Sequence, residues 1–189
     1  MNPDGLQPVL TGELVVLRPF AVTDAEAMAQ VLADPEVVRL TGSAHTTADS
    51  LAGAPPVEEL RAWYGTRAGL TDRLDLAVVD RATGELVGEV VLNEWDEGSA
   101  SCNFRTLIGP AGRGRGLGTE AARLVVGFGF DTLGLHRIEL GVHAFNPRAR
   151  RVYEKVGFVH EGTRREALRF DDTWVDTEVM AVLSSEWAG

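Results

Sequence analysis

Arg113-Gly114-Arg115-Gly116-Leu117-Gly118-Thr119-Glu120-Ala121 is the stretch whose reading decides the rest. It lies between a strand-like segment, about Ala100 to Ile108, and an apolar segment that reads as a helix from about Leu117 to Leu133. Glycine lets the backbone take φ values other residues avoid and lets a ligand approach closely. A helix opening there turns its unpaired first-turn N–H groups, and the positive end of its dipole, toward whatever occupies the loop. A pyrophosphate suits such a place. Three readings compete. A Walker-type loop needs a Gly-Lys-Ser/Thr ending, and this run holds no lysine. A relaxed dinucleotide fingerprint is met by Gly116-Leu117-Gly118-Thr119-Glu120-Ala121, with Glu139 near the distance expected of a ribose-binding acid. Its first glycine should follow the strand at once, however, and the seven residues Gly109 to Arg115 intervene. The third reading is a glycine-rich surface turn with no ligand.

Working outward, the chain begins with a strand-like Glu13 to Arg18, stopped by Pro19. Thr23 or Asp24 is placed to cap a helix reaching about Ala33, which Asp34-Pro35 ends. Thr41 to Pro56 lacks apolar periodicity and reads as a long loop of the kind that often carries function. A second helix, about Val57 to Leu70, carries Leu60, Trp63 and Tyr64. Three strands follow: Leu74 to Asp80, Leu86 to Asn93 and about Ala100 to Ile108, joined by turns at Arg81-Ala82-Thr83-Gly84 and Asp96-Glu97-Gly98.

In the helix after the loop, Leu117, Ala121, Leu124, Val125 and Phe128 form one stripe, with a neighbouring stripe of Ala122, Val126, Phe130 and Leu133. A helix apolar over so much of its girth packs on two sides. Gly127 and Gly129 inside it each cost roughly 1 kcal/mol relative to alanine, which close packing would explain. Then come a strand, Ile138 to His143, and a helix from Pro147 to Val156 with Asn146 as N-cap and Gly157 as its stop. Two strands, Phe158 to Phe170 and Trp174 to Leu183, close the chain around Asp171-Asp172. The order predicts an α+β fold: a mixed, mostly antiparallel sheet of about seven strands and four helices, with one parallel step across the long helix.

The length of 189 residues suits one domain over 1–189. No leader-like start and no apolar run near the ~20 residues that span a bilayer are read, so the expectation is a cytoplasmic protein with no membrane partner. Cys102 is the only cysteine; it excludes an internal disulfide, and no metal site is expected. A lone cysteine is usually a small buried hydrophobe. The formal charge of −10 argues against non-specific nucleic-acid binding and leaves room for a cationic amine.

Arg113-x-x-Gly116-x-Gly118 resembles the coenzyme A signature of the GCN5-related N-acetyltransferases, the GNAT family. Thr119-Glu120-Ala121, Leu133-Gly134-Leu135-His136-Arg137-Ile138, the block Asn146 to Phe158, and Glu161-Gly162 sharpen the resemblance toward ribosomal-protein alanine acetyltransferases and their relatives. The matches run from about Leu14 to Trp187, and the block from Gly109 to Gly162 is the most specific.

The resemblance implies a GNAT-type fold in which a bulge splays the strand Asn103 to Ile108 from the next parallel strand. Leu107 and Ile108 would then offer backbone groups to acetyl-CoA, the co-substrate. Arg113, Gly114, Arg115, Gly116, Leu117, Gly118 and Thr119 would form the pyrophosphate cradle. Asn146 would reach the pantetheine or serve only as N-cap. Tyr153 would protonate the departing thiolate, or merely pack. Many subgroup members keep serine where this chain has Ala149. Arg148 and Arg151 (with Arg150) would meet the 3′-phosphate or form a solvated basic face. Glu94 is the first choice for general base, with Asp96, Glu97, Glu139 and His143 as alternatives; His45 could line the acceptor pocket. The implied activity is transfer of an acetyl or other short acyl group from acyl-CoA to a primary amine of a protein N-terminus or small molecule. The reading from another class is a non-catalytic CoA-binding module. Homodimers are common in the resembling family.

Overall fold

The computed structural model describes residues 6–67 and 69–189. One sheet runs through it in the order β1-β2-β3-β4-β5-β6-β8-β7. The strands are β1 (Leu10–Thr11), β2 (Val15–Pro19), β3 (Leu74–Asp80), β4 (Leu86–Asp96), β5 (Ser101–Ile108), β6 (Arg137–His143), β7 (Val159–Phe170) and β8 (Thr173–Leu183). Every neighbouring pair is antiparallel except β5 and β6, which the helix α5 (Leu117–Asp131) connects. The remaining helices are α1 (Ala25–Leu32), α2 (Pro35–Leu40), α3 (Thr47–Ser50), α4 (Val57–Arg67) and α6 (Pro147–Val156). The expected α+β architecture is therefore present, with the two-residue β1 added to the seven expected strands.

Two details depart from the sequence reading. Asp34-Pro35 ends one helix as expected and also starts another: the Asp34 carboxylate accepts the Val37 N–H at 2.8 Å, and Pro35 occupies the first turn of α2. The Thr41–Pro56 stretch contains α3, capped by the Thr46 hydroxyl on the Asp49 N–H. The helix read as far as Leu70 ends at Arg67, and residue 68 of that reading lies outside the described residues.

The strands alternate sides as their period requires. Leu74, Leu76, Val78, Val90 and Leu92 pack under α5 together with Tyr153 and Val156 of α6. Ala77, between two of them, points the other way, into a second core with Met28, Val31, Val37, Leu60 and Tyr64. Cys102 is buried in the first core, and burial pushes its thiol up to about 12, so it is inert packing. The glycines inside α5 answer to contact: a Cβ on Gly129 would stand 2.8 Å from Ile138 Cδ1, and one on Gly127 3.4 Å from the Trp187 indole.

Glu120, from the Thr119-Glu120-Ala121 run, reaches back to the start of the sheet. Its carboxylate accepts the N–H groups of Glu13 (2.9 Å), Leu14 (2.7 Å) and Val15 (2.8 Å). It thereby ties the chain entering β2 to the first turn of α5. Replacing Glu120 by alanine strands these donors, and we expect a loss of roughly 1–3 kcal/mol, read as a fall of about 2–10 °C in the thermal midpoint. An unchanged midpoint would show that the clasp contributes nothing.

Candidate active site

β5 and β6 are paired only over Ser101–Asn103 and Arg137–Glu139. Beyond Asn103 they diverge, and a cleft of ≈ 370 Å³ opens between them, reaching from the loop before α5 to α2 and α6. No bulge in β5 produces the opening. β5 stays in register with β4 from Asn103 to Ile108, and the irregularity in that ladder falls between Asn93 and Asp96. Glu94 lies inside it with φ +53.

The ladder also decides which backbone groups face the gap. Gly109 donates its N–H to Val87 O at 2.8 Å, which fixes the phase of the antiparallel pairing. The N–H and C=O of Arg105 and Leu107 therefore turn toward β4, and those of Phe104, Thr106 and Ile108 turn toward the cleft. The Ile108 backbone faces the gap, with its C=O accepting the Arg113 Nε–H at 3.1 Å and its N–H open. Leu107 lines the cleft through its side chain and leaves its backbone to β4, a correction that follows from strand alternation.

The glycine run forms the cleft's end wall. Gly114 and Gly116 hold φ of +73 and +84, left-handed geometry that glycine adopts without strain. Leu117 is buried in the core and anchors the helix. Among the described residues, nothing accepts the backbone N–H groups of Gly114, Arg115, Gly116, Leu117 or Gly118, whereas the Thr119 N–H is bonded to Gly116 O at 3.0 Å. Consecutive N–H groups left open at a helix start form an anion nest. Thr119 itself lines the cleft.

The two loop arginines are engaged elsewhere. Arg113 donates to Ile108 O (3.1 Å), Asp34 (2.9 Å) and Glu36 (2.5 Å), holding α2 against the loop. Arg115 reaches Asp80 at 2.6 Å, and that carboxylate also accepts the Ala82 N–H. Arg115 braces the loop from outside the cleft, and Arg113, on the cleft wall, braces it against α2.

On the opposite wall, Asn146 Oδ1 accepts the Ala149 N–H at 3.0 Å, so it is the N-cap of α6, and the residue lines the cleft as well. Arg148 lines the cleft and contacts Glu36 at 3.2 Å. Arg151 is exposed and stands off the cleft. Tyr153 is 7% exposed, packed edge-on against Phe104 and Phe158, and lines the cleft. Burial pushes its phenol up to about 12, which keeps it protonated, and nothing among the described residues binds its hydroxyl.

Glu94 does not join this group: it is exposed and lies off the cleft wall. The acid that does line the cleft is Glu89, further back along the same strand. Tyr64 donates its hydroxyl to Glu89 Oε2 at 3.2 Å. Burial raises the Glu89 carboxyl above the usual carboxylate range, and the nearby Asp75 carboxylate adds to the effect. Asp75 is itself chelated by Arg73 at 2.6 Å. His143 lines the cleft with Nδ1 3.0 Å from Thr177 Oγ1, and burial lowers its pKa. His45, at 3.2 Å from Arg169 O, is off the cleft. Sequence reasoning passed over Glu89 because it sits in an apolar strand; the Gly88-Glu89-Val90 step, a charge inside a run of β-branched residues, was the available signal.

Among the described residues, no group of His, Cys, Asp or Glu could hold a metal ion, and no helix is long and apolar enough to cross a membrane. The family model described as acetyltransferase (GNAT) domain matches residues 15–159. The Bacillus subtilis (strain 168) protein named Probable N-acetyltransferase YjcK is 30% identical over 179 residues, spanning 94% of this chain and 98% of that one. A GCN5-related N-acetyltransferase from Brucella melitensis superposes with a TM-score of 0.77 at 26% identity, over 96% of this chain and 81% of that one. The spermidine N-acetyltransferase from Vibrio cholerae, solved with CoA and spermine, gives a TM-score of 0.81 at 23% identity, over 94% of this chain and 100% of that one.

Proposed function

The chain belongs to the GNAT family of acyl-CoA-dependent acetyltransferases, and on that premise we propose that it moves an acetyl group from acetyl-CoA to a primary amine by direct attack in a ternary complex. The observation that carries this reading is the row of open N–H groups from Gly114 to Gly118 at the end of a cleft that also holds Glu89 and Tyr153. The row suits a pyrophosphate, and a main-chain cradle is stronger for an anion than neutral pairing would be. The Phe104 C=O, both backbone groups of Thr106 and the Ile108 N–H are left to meet the extended arm of the donor in the gap beside β6.

Glu89 is assigned the base in place of Glu94. An acceptor amine is protonated near neutral pH, and its ammonium must lose a proton before nitrogen can attack. A carboxyl raised by burial is better matched to that proton than an ordinary one. Nitrogen then bonds to the thioester carbon, the carbon–sulfur bond breaks, and sulfur leaves as a thiolate. Tyr153 supplies the proton that the thiolate takes, and the second proton shed by the attacking nitrogen returns to the phenolate, so the products are the amide, the CoA thiol and one proton held by Glu89. A backbone N–H facing the gap stabilises the oxygen that carries charge between these steps. Arg113 and Arg115 act as braces of the loop, and Asn146 orients α6 so that Tyr153 faces the cleft.

The test is release of CoA thiol from acetyl-CoA in the presence of a panel of amines. Stabilisation by CoA without turnover on any amine would instead favour a binding module. Within the same assay, Tyr153→Phe should lower kcat by about 10² while changing CoA affinity less than about threefold. A fully active variant would move the acid role to another group.

A further inference from the structure

Two of the arginines that line the cleft are already held by acids, Arg113 by Asp34 and Glu36, and Arg148 by Glu36. Arg105 also lines it, and no carboxylate, carbonyl or ring among the described residues binds its guanidinium. Shortage of partners is not the reason, since the chain carries 28 acids against 18 bases. Arg105 is exposed on its strand, so solvent rather than an acid meets its guanidinium. Arg105 stands on β5 opposite Val91, and Glu89 on β4 stands opposite Leu107. The two charges are thus diagonal neighbours on one face of the sheet, a spacing of about 7–8 Å, and they do not form an ion pair with each other. Tyr64 steadies Glu89 from the far side.

The cleft therefore presents a carboxylate and a guanidinium side by side, each with hydrogen-bonding capacity unspent. A zwitterion is the complement of that pair. Its ammonium fits Glu89, where the proton must go, and its carboxylate fits the planar fork of Arg105, which pairs carboxylates two-pronged. A polyamine fits badly: with one ammonium at Glu89, its next positive charge comes toward a guanidinium that no acid pairs, and that repulsion selects against it. We infer that Arg105 reads a carboxylate on the acceptor, and that the acceptor class is a free amino acid rather than a polyamine. This inference rests on the acyl-transfer reading and names the substrate class of that site.

The experiment compares amino acids with their decarboxylated counterparts: phenylalanine with phenethylamine, arginine with agmatine, lysine with cadaverine. For each pair, kcat/KM with acetyl-CoA and binding to the CoA-saturated protein by calorimetry are both measured. We expect the carboxylate-bearing member to be favoured about tenfold or more, the scale of a charge-assisted hydrogen bond. Arg105→Gln should bring the ratio within each pair close to one, and Arg105→Lys should keep part of it. Tighter, Arg105-dependent binding of the amino acids without transfer would uphold this inference and sink the acyl-transfer reading. Transfer that favours the decarboxylated members would leave that reading standing and overturn the inference. So would a ratio indifferent to Arg105→Gln, or binding of neither member of any pair.

Discussion

Glu89→Gln should lower kcat by about 10²–10⁴ and remove the acid limb of the pH–rate profile. The substitution keeps the shape of the side chain and its hydrogen bond from Tyr64, so packing around Ala77 and Val91 is undisturbed. What it removes is the ability to take a proton. The sign of the pH effect follows from the direction of the shift. Burial, reinforced by Asp75, raises the Glu89 carboxyl, and a base works only when ionised. Activity of the parent enzyme is therefore full above that raised pKa and falls as pH drops through it, at a pH higher than the ~4.3 of an unperturbed glutamate. Steady-state rates between pH 5 and 9 for parent and variant check this. Should the variant retain the limb at full rate, the proton leaves by another route, and His143, also on the cleft wall, becomes the group to replace.

Gly116→Val should weaken CoA binding by about 10² or more, the loss of one or more charge-assisted hydrogen bonds. Gly116 sits at φ +84, where a β-branched residue is strained by roughly 1–3 kcal/mol. The loop relieves that strain by rotating, and rotation turns the neighbouring N–H groups away from a common point. Folding should survive, because a Cβ here meets only Leu14 Cδ1, at 3.3 Å. Calorimetric titration with CoA, beside a thermal melt, separates the two effects. A folded variant with parental affinity would remove the loop from its assigned role.

The sheet, the parallel step and the helix after the loop were legible because each rests on local signals: period-two strands, turn glycines, an apolar stripe. The glycine loop was legible as a place and less so as a set of contacts. Nothing in Arg113-Gly114-Arg115 says that the guanidinium groups will pair with Asp34, Glu36 and Asp80, residues far away in sequence. Glu94, the first choice of base, lies off the cleft for the same kind of reason. Whether Glu94 or Glu89 faces the cleft depends on where the irregularity in β4 falls, and a ladder shift between Asn93 and Asp96 is a property of pairing with β5, not of the strand read alone. Asn146 was left between cap and ligand contact. Its bond to the Ala149 N–H makes it a cap, and its place on the cleft wall keeps the second role open to test.

The alternation along β5 has an evolutionary consequence. A donor held by main-chain N–H and C=O groups is held by atoms that every residue type except proline supplies, so substitutions can accumulate there without altering which donor is used. The side chains that project from the same strand toward α2 and α4 are under no such protection. On the proposed reading, a single replacement at Arg105 of β5, or at Glu89 of the adjoining β4, changes what the other end of the cleft accepts. One strand thus carries a fixed half and a variable half of the chemistry, and acceptor preference is free to diverge among descendants of this scaffold while the acyl carrier stays the same.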